Sequence, residues 1–190
     1  KPLLDFGFDT FAVAPSPALL PIPGEAAPGA EFRLASAYDA ELAPCDAILA
    51  LGEPLTYHDR DVDAEVRVRH FFRKASHALR GGGLLIFDVI EAEGEALDGR
   101  GWASGSDWAV LYESREDRAA RHLARRIETF RLVSDGAYRR SEEVHSVRLF
   151  DRRAMTTWLE QAGFDVEVDA AYGRFELAPR RVAFTATRRA

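Results

Sequence analysis

Glu53, Tyr57 and His58 follow a short apolar run, Cys45-Asp46-Ala47-Ile48-Leu49-Ala50-Leu51, with only Gly52 between that run and Glu53. Asp88 and Glu91 close a second run, Leu84-Leu85-Ile86-Phe87-Asp88-Val89-Ile90-Glu91. Carboxylates and a histidine past the ends of apolar strands can orient a bound molecule and move its protons. An imidazole titrates near neutral pH, so His58 is a candidate general base, with Glu53 beside it. His58 is equally readable as a solvated loop histidine next to Asp59. Asp88 reads either as a contact to a bound small molecule or as a polar strand terminus. The five histidines show no i, i+4 helical pair and the chain has a single cysteine, so no metal site is expected.

These residues need a frame. Between the two runs, Val68, Phe71, Phe72, Ala75 and Leu79 form one apolar stripe at helical spacing, and Gly81 is expected to stop that helix. Strand, crossover helix and strand in that order predict an α/β fold with a parallel sheet. In such a sheet, ligands bind at the carboxyl ends of the strands. The continuous apolar run from Cys45 suits a strand covered on both faces. Further strands are expected at Thr10–Val13, Ala30–Ala35, Val166–Val168 and Val182–Ala186, the last two as an antiparallel ending. Lys1 to Phe8 reads as a helix end with Gly7 as its cap, and Ser16 as the start of another helix.

The second half changes character. Residues 98–107 are rich in Gly and Ser and read as a loop. Segments 122–133 and 137–149, separated by Ser134-Asp135-Gly136, read as a hairpin. A two-residue turn there would place Val133 opposite Tyr138 and Ile127 opposite Val144. Trp102, Trp108 and Tyr112 are either an apolar lid over a ligand pocket or a plug at the core edge. Asp151 is expected to cap a helix carrying Met155, Trp158 and Leu159, ended by Gly163.

The 190 residues suit one domain, and 47% hydrophobic content is enough for a substantial core. A net charge of -6 argues against duplex nucleic acid as a partner. Between Arg115 and Arg153, eleven arginines face seven acidic residues, which reads first as a solvated face and second as attraction of an anionic small substrate. No apolar run approaches a membrane span, no signal peptide is visible, and one cysteine suits a reducing, cytoplasmic setting.

Three motifs together carry a resemblance. Cys45-Asp46-Ala47-Ile48 through Gly52-Glu53, the Leu79-Arg80-Gly81-Gly82-Gly83-Leu84-Leu85 turn into a strand, and Gln161-Ala162-Gly163-Phe164 before Val166 resemble the class I S-adenosylmethionine-dependent methyltransferases. The resemblance implies a Rossmann-like fold, a mostly parallel sheet with an antiparallel final strand and an inserted β-hairpin at about 121–150. It implies one methyltransferase-like domain over 1–190, lacking the family's first strand and glycine-rich turn upstream of Lys1. It further implies S-adenosylmethionine as cofactor, with Ala14, Ser36, Ala37, Leu51 and Gly52 along its site. Tyr57, Asp88 and Trp102 are then expected at a small-molecule acceptor, and Glu53 and His58 at the reacting group. Room is left for a homo-oligomer, with no nucleic-acid or membrane partner. Ala14 stands where the family usually has an acid for the ribose hydroxyls. That departure supports an alternative, a non-catalytic domain of the same fold acting through protein association. A nucleotide-binding oxidoreductase fits less well, because the glycine fingerprint is missing and the sheet ends antiparallel.

Overall fold

The computed structural model describes residues 2–16, 29–57, 63–133 and 136–190. His58, most of the helix expected from Ser16, and turn residues 134 and 135 lie outside the described residues. The chain opens with helical turn α1 (Pro2–Asp5). Gly7 closes it at φ 84°, with the Phe8 N–H donating to the Leu3 carbonyl at 3.0 Å, the glycine cap the sequence calls for. Strands β1 (Phe11–Ala14) and β2 (Glu31–Leu34) pair in parallel, Ala14 beside Leu34.

A four-stranded sheet follows, built from β3 (Cys45–Ala50), β4 (Leu79–Ile90), β9 (Phe164–Asp169) and β12 (Arg181–Arg188), in the order β3-β4-β12-β9. β3 pairs parallel to β4, while β12 pairs antiparallel to both its neighbours. Three strands therefore share one direction and the final strand opposes them. Helices α2 (Ala64–Ala78) and α3 (Arg152–Gln161) supply Val68, Phe71, Phe72, Ala75, Met155 and Leu159 to a core with Phe87, Val89, Phe164 and Phe184 of the sheet. Phe87 and Phe184 stack at 4.9 Å. The Asp63 carboxylate caps α2 and the Asp151 carboxylate caps α3, the latter accepting from the Ala154 N–H at 2.8 Å. Both helices bury the face that carries Ile48 and Phe87. Leu49, on the other face of β3, stays 43% exposed, so the coverage expected on both sides is not seen among the described residues.

Gly81 was expected to end α2, but the helix stops at Ala78 and β4 begins at Leu79. The glycines instead form a bulge: Cys45 pairs with Leu79 and Ala47 already with Leu84. Gly82 takes φ 78°, and a Cβ on Gly83 would come within 3.0 Å of the Asp46 carbonyl and 2.9 Å of the Arg80 carbonyl. Only glycine fits where the bulge folds onto its neighbour strand.

The insertion is larger than a hairpin. β5 (Gly99–Ser104), β6 (Trp108–Asp117), β7 (His122–Leu132) and β8 (Tyr138–Arg148) form a four-stranded antiparallel sheet. The Gly- and Ser-rich segment expected as a loop is thus largely strand β5. Counting both sheets, antiparallel pairings outnumber parallel ones, which corrects the mostly parallel expectation. A short ribbon, β10 (Ala171–Tyr172) with β11 (Phe175–Glu176), precedes β12.

The β7–β8 register is one residue away from the one expected. Leu132 opposes Tyr138, and Leu123 opposes Val147. A one-residue slip exchanges the faces of a strand. In the observed register Leu123 and Val147, 2% and 0% exposed, join Ile90 and Leu149 in a small core at the end of β4. The expected register would set Arg148 in that place. The outward face gains a lattice in which Arg126 and Arg140 each pair with Glu128 and Glu142, so the facing glutamates do not repel uncompensated.

Candidate active site

The carboxyl end of β3 turns sharply. Gly52 and Glu53 both take positive φ, 83° and 62°. For glycine this is free, whereas for glutamate it is a strained conformation of order 1–3 kcal/mol. Asp88 offsets that strain. Its Oδ1 accepts the Gly52 N–H at 2.6 Å, and its Oδ2 accepts the Glu53 N–H at 2.9 Å. The Tyr172 hydroxyl donates to Oδ1 at 2.8 Å. Asp88 is 1% exposed. Expected at the acceptor, it is instead fully engaged in holding the turn, because two successive backbone N–H groups converge on it.

The strain aims Glu53 inward, where it is 2% exposed. Its Oε1 accepts from Arg125 Nη1 and Arg181 Nη2, both at 2.9 Å, and from the Tyr57 hydroxyl at 3.3 Å. Its Oε2 is buried and has no hydrogen-bond partner among the described residues. A buried acceptor left unmade costs about 1–3 kcal/mol, more when charged. Burial, reinforced by the Glu53 carboxylate, pushes the Tyr57 hydroxyl above its ordinary range, so it remains a donor at neutral pH. Tyr57 also packs edge-on against His145 at 5.4 Å and bridges to Val147, which ties the turn to the inserted sheet.

Topology explains how both arginines reach one carboxylate. β12 is antiparallel, so its first residue, Arg181, lies beside Ile90 at the carboxyl end of β4. Arg125 lies on β7 opposite His145, on the same face of the inserted sheet as the buried Leu123 and Val147. No motif or spacing marks either arginine in the sequence. The basic excess of 115–153 is the one signal that includes Arg125.

The remaining expected residues fall into two groups. Ala14 ends β1, Ser36 and Ala37 follow β2, and Leu51 and Gly52 follow β3; β1 and β2 form a sheet separate from that of β3. The Ala35 N–H donates to the Ala14 carbonyl at 3.1 Å, and the Tyr38 hydroxyl donates to the Leu55 carbonyl at 2.6 Å, which ties the turn after β2 to the one after β3. Lys74 of α2 donates to the Tyr38 and Ala40 carbonyls, both at 2.7 Å. The Ser36 side chain is engaged with Asp39, which donates its N–H to the Ser36 oxygen at 3.1 Å. That hydroxyl, the leading cause, also holds the Asp39 carboxyl below the ordinary range. Trp102 is not brought to the site. It is 75% exposed and pairs with Leu111 on the outward face of the inserted sheet, opposite to the face that carries Arg125.

Parallel β3 and β4 with an antiparallel last strand between β4 and β9 give a fold shared with solved S-adenosylmethionine-dependent methyltransferases. A methyltransferase of this type from Clostridium acetobutylicum superposes with a TM-score of 0.81 at 14% identity, over 99% of this chain and 78% of that one. The sugar N-methyltransferase from a Streptoalloteichus species gives 0.73 at 22% identity, over 95% and 71%. The CcbJ methyltransferase from Streptomyces caelestis gives 0.76 at 17% identity, over 100% and 78%. No protein-family model and no curated protein matches the chain. Among the described residues no helix is long and apolar enough to cross a membrane, and no cluster of metal-ligating side chains is found.

Proposed function

We propose that this chain transfers a methyl group from S-adenosylmethionine to the nitrogen of a small-molecule amine. The observation that carries the reading is the buried, unpartnered Oε2 of Glu53 at the tip of β3. The strand ends suit the methyl donor: Leu34 and Leu51 are 54% and 52% exposed, and a Cβ on Gly52 would meet nothing within 4 Å. Ala14, Ser36 and Ala37 would lie along its adenosine, and Leu51 and Gly52 along its methionine half. When bound, S-adenosylmethionine supplies a methyl carbon activated by its sulfonium, so the acceptor's lone pair takes the carbon and sulfur keeps the bonding pair.

Glu53 does the remaining work. Its Oε2 accepts an N–H of the neutral amine and so directs the lone pair, which is catalysis by orientation. As transfer proceeds, nitrogen becomes positive, and the carboxylate hydrogen-bonded to it stabilises that charge. Two arginines and the Tyr57 hydroxyl already fill Oε1, so Oε2 is the oxygen left to hold the acceptor. An alcohol acceptor would need a base to remove its proton, whereas a neutral amine needs only to be held, so the site favours nitrogen. The neighbour from Streptoalloteichus, a sugar N-methyltransferase, is consistent with this reading.

Matched amines and alcohols incubated with methyl-labelled S-adenosylmethionine test it. Label is expected in the amines, with Glu53→Gln lowering the rate about 100-fold, equivalent to about 2.7 kcal/mol of transition-state stabilisation. Label in the alcohols alone, or a rate indifferent to Glu53→Gln, would sink the assignment. The second reading, a non-catalytic domain acting through protein association, is favoured by Ala14, which offers the ribose hydroxyls no side-chain acceptor.

A further inference from the structure

Arg125 and Arg181 come to Glu53 from separate sheets, and both stop at the same oxygen. Each uses one terminal nitrogen. Among the described residues, no other hydrogen-bond partner engages either guanidinium. Their side chains keep 21% and 29% exposure, so the free edges are accessible. A guanidinium offers five donors in a rigid fork matched to oxyanions. Because both guanidiniums meet the same single oxygen, neither forms a two-pronged pair with the carboxylate. Asp88 does not supply the missing partner, since both its oxygens are taken by the turn and Tyr172. Burial, the leading cause, keeps the hydroxyls of Tyr57 and Tyr172 protonated, so neither adds a negative charge.

We infer that the free edges of Arg125 and Arg181 bind an oxyanion group, a carboxylate or phosphate, on the acceptor itself. Resting on the amine reading above, this makes the acceptor an amine that also carries an acidic group. Its nitrogen meets Glu53 Oε2 and its acid meets the two guanidiniums. The pairing explains why two arginines share one oxygen and leave the other to the ligand.

The test uses acetate and methyl phosphate as probes, followed by the arginine side-chain Nε–H signals in NMR, in the presence and absence of S-adenosylhomocysteine. Saturable shifts of two arginine signals are expected, and they should persist when S-adenosylhomocysteine is bound. Arg125→Gln and Arg181→Gln should each weaken the tighter probe at least tenfold. Arg126→Gln, on the outward lattice, should leave it within twofold. If Arg125→Gln does not fold, Arg125→Lys, which keeps the charge and loses the fork, takes its place with a weakening of the same direction. The tighter probe identifies the group as carboxylate or phosphate. Shifts that never saturate, or equal weakening in Arg126→Gln, would overturn the subsite. Displacement by S-adenosylhomocysteine would assign the arginines to its own carboxylate and overturn the acceptor assignment. The anion titration needs neither turnover nor cofactor, so a failure of methyl transfer leaves its result readable.

Discussion

Glu53 and Asp88 form a two-part device in which one carboxylate is used to aim the other. Asp88 holds the two N–H groups that keep Glu53 at φ 62°, and Glu53 presents one oxygen to three donors and keeps one free. Removing Asp88 should therefore act on stability and on activity together. Asp88→Ala leaves a buried N–H without its charged acceptor and is expected to cost on the order of 3 kcal/mol in urea unfolding, with methyl transfer lost as the turn relaxes. Tyr172→Phe removes one hydroxyl from the same carboxylate and should cost about 1 kcal/mol. Equal costs for the two variants would mean that Asp88 does not hold the turn. Glu53 and Tyr57 were legible as candidates because they follow an apolar strand at the end where ligands bind in open α/β sheets. Arg125 and Arg181 were not, because their place depends on how two strands far apart in sequence are registered and directed. Asp88 was legible as a strand-end carboxylate, but its partners are backbone groups, which no side-chain pattern reveals.

At the scale of elements, the strand–helix–strand unit from Cys45 to Glu91 was readable because one period of 3.6 lies between two continuous apolar runs. The cap at Asp151 was readable for a local reason also, since a carboxylate preceding an apolar helical stripe serves the first free N–H groups. The triple glycine was misread because a helix stop and a strand bulge use the same residue. Their energetics differ. Gly52→Ala meets open space and should cost only the strain of positive φ, about 1 kcal/mol. Gly83→Ala drives a methyl into two backbone carbonyls and should cost more, about 2–3 kcal/mol. Denaturant midpoints of the two variants check the order; a larger cost at Gly52 would contradict the bulge. The hairpin register was out of reach for a different reason. Asp-Gly marks a turn but not its length, and burial of Leu123 and Val147 decides which residues face inward.

Across the whole molecule, the inserted sheet is fastened to the end of β4 by Arg180. Its guanidinium donates to both oxygens of Glu116, at 2.7 and 2.9 Å, and to the Glu91 and Ala92 carbonyls at 2.7 and 2.9 Å. Both side chains are buried, 6% and 0% exposed. Arg180→Gln leaves the buried Glu116 carboxylate with only the Leu97 N–H at 2.9 Å and the more distant Arg118 at 3.9 Å, a loss of about 3 kcal/mol. The Arg180 hydrogen bonds, the leading cause, hold the Glu116 carboxyl below the usual carboxylate range. A carboxyl depressed in the folded state contributes stability above its unfolded pKa, about 4.3, and loses it as pH falls through the folded value. The wild type should accordingly lose stability below about pH 4, and Arg180→Gln should show a weaker dependence there. Because Arg125 reaches Glu53 from that same sheet, loosening this latch should also lower methyl transfer. The central claim is that the strand ends around Leu51 hold the methyl donor, and calorimetric titration with S-adenosylhomocysteine tests it most directly. The account predicts saturable one-to-one binding to the wild type that is lost in Leu51→Arg, whose exposed position leaves folding intact. Absence of binding to the wild type, or unchanged binding to Leu51→Arg, would contradict it.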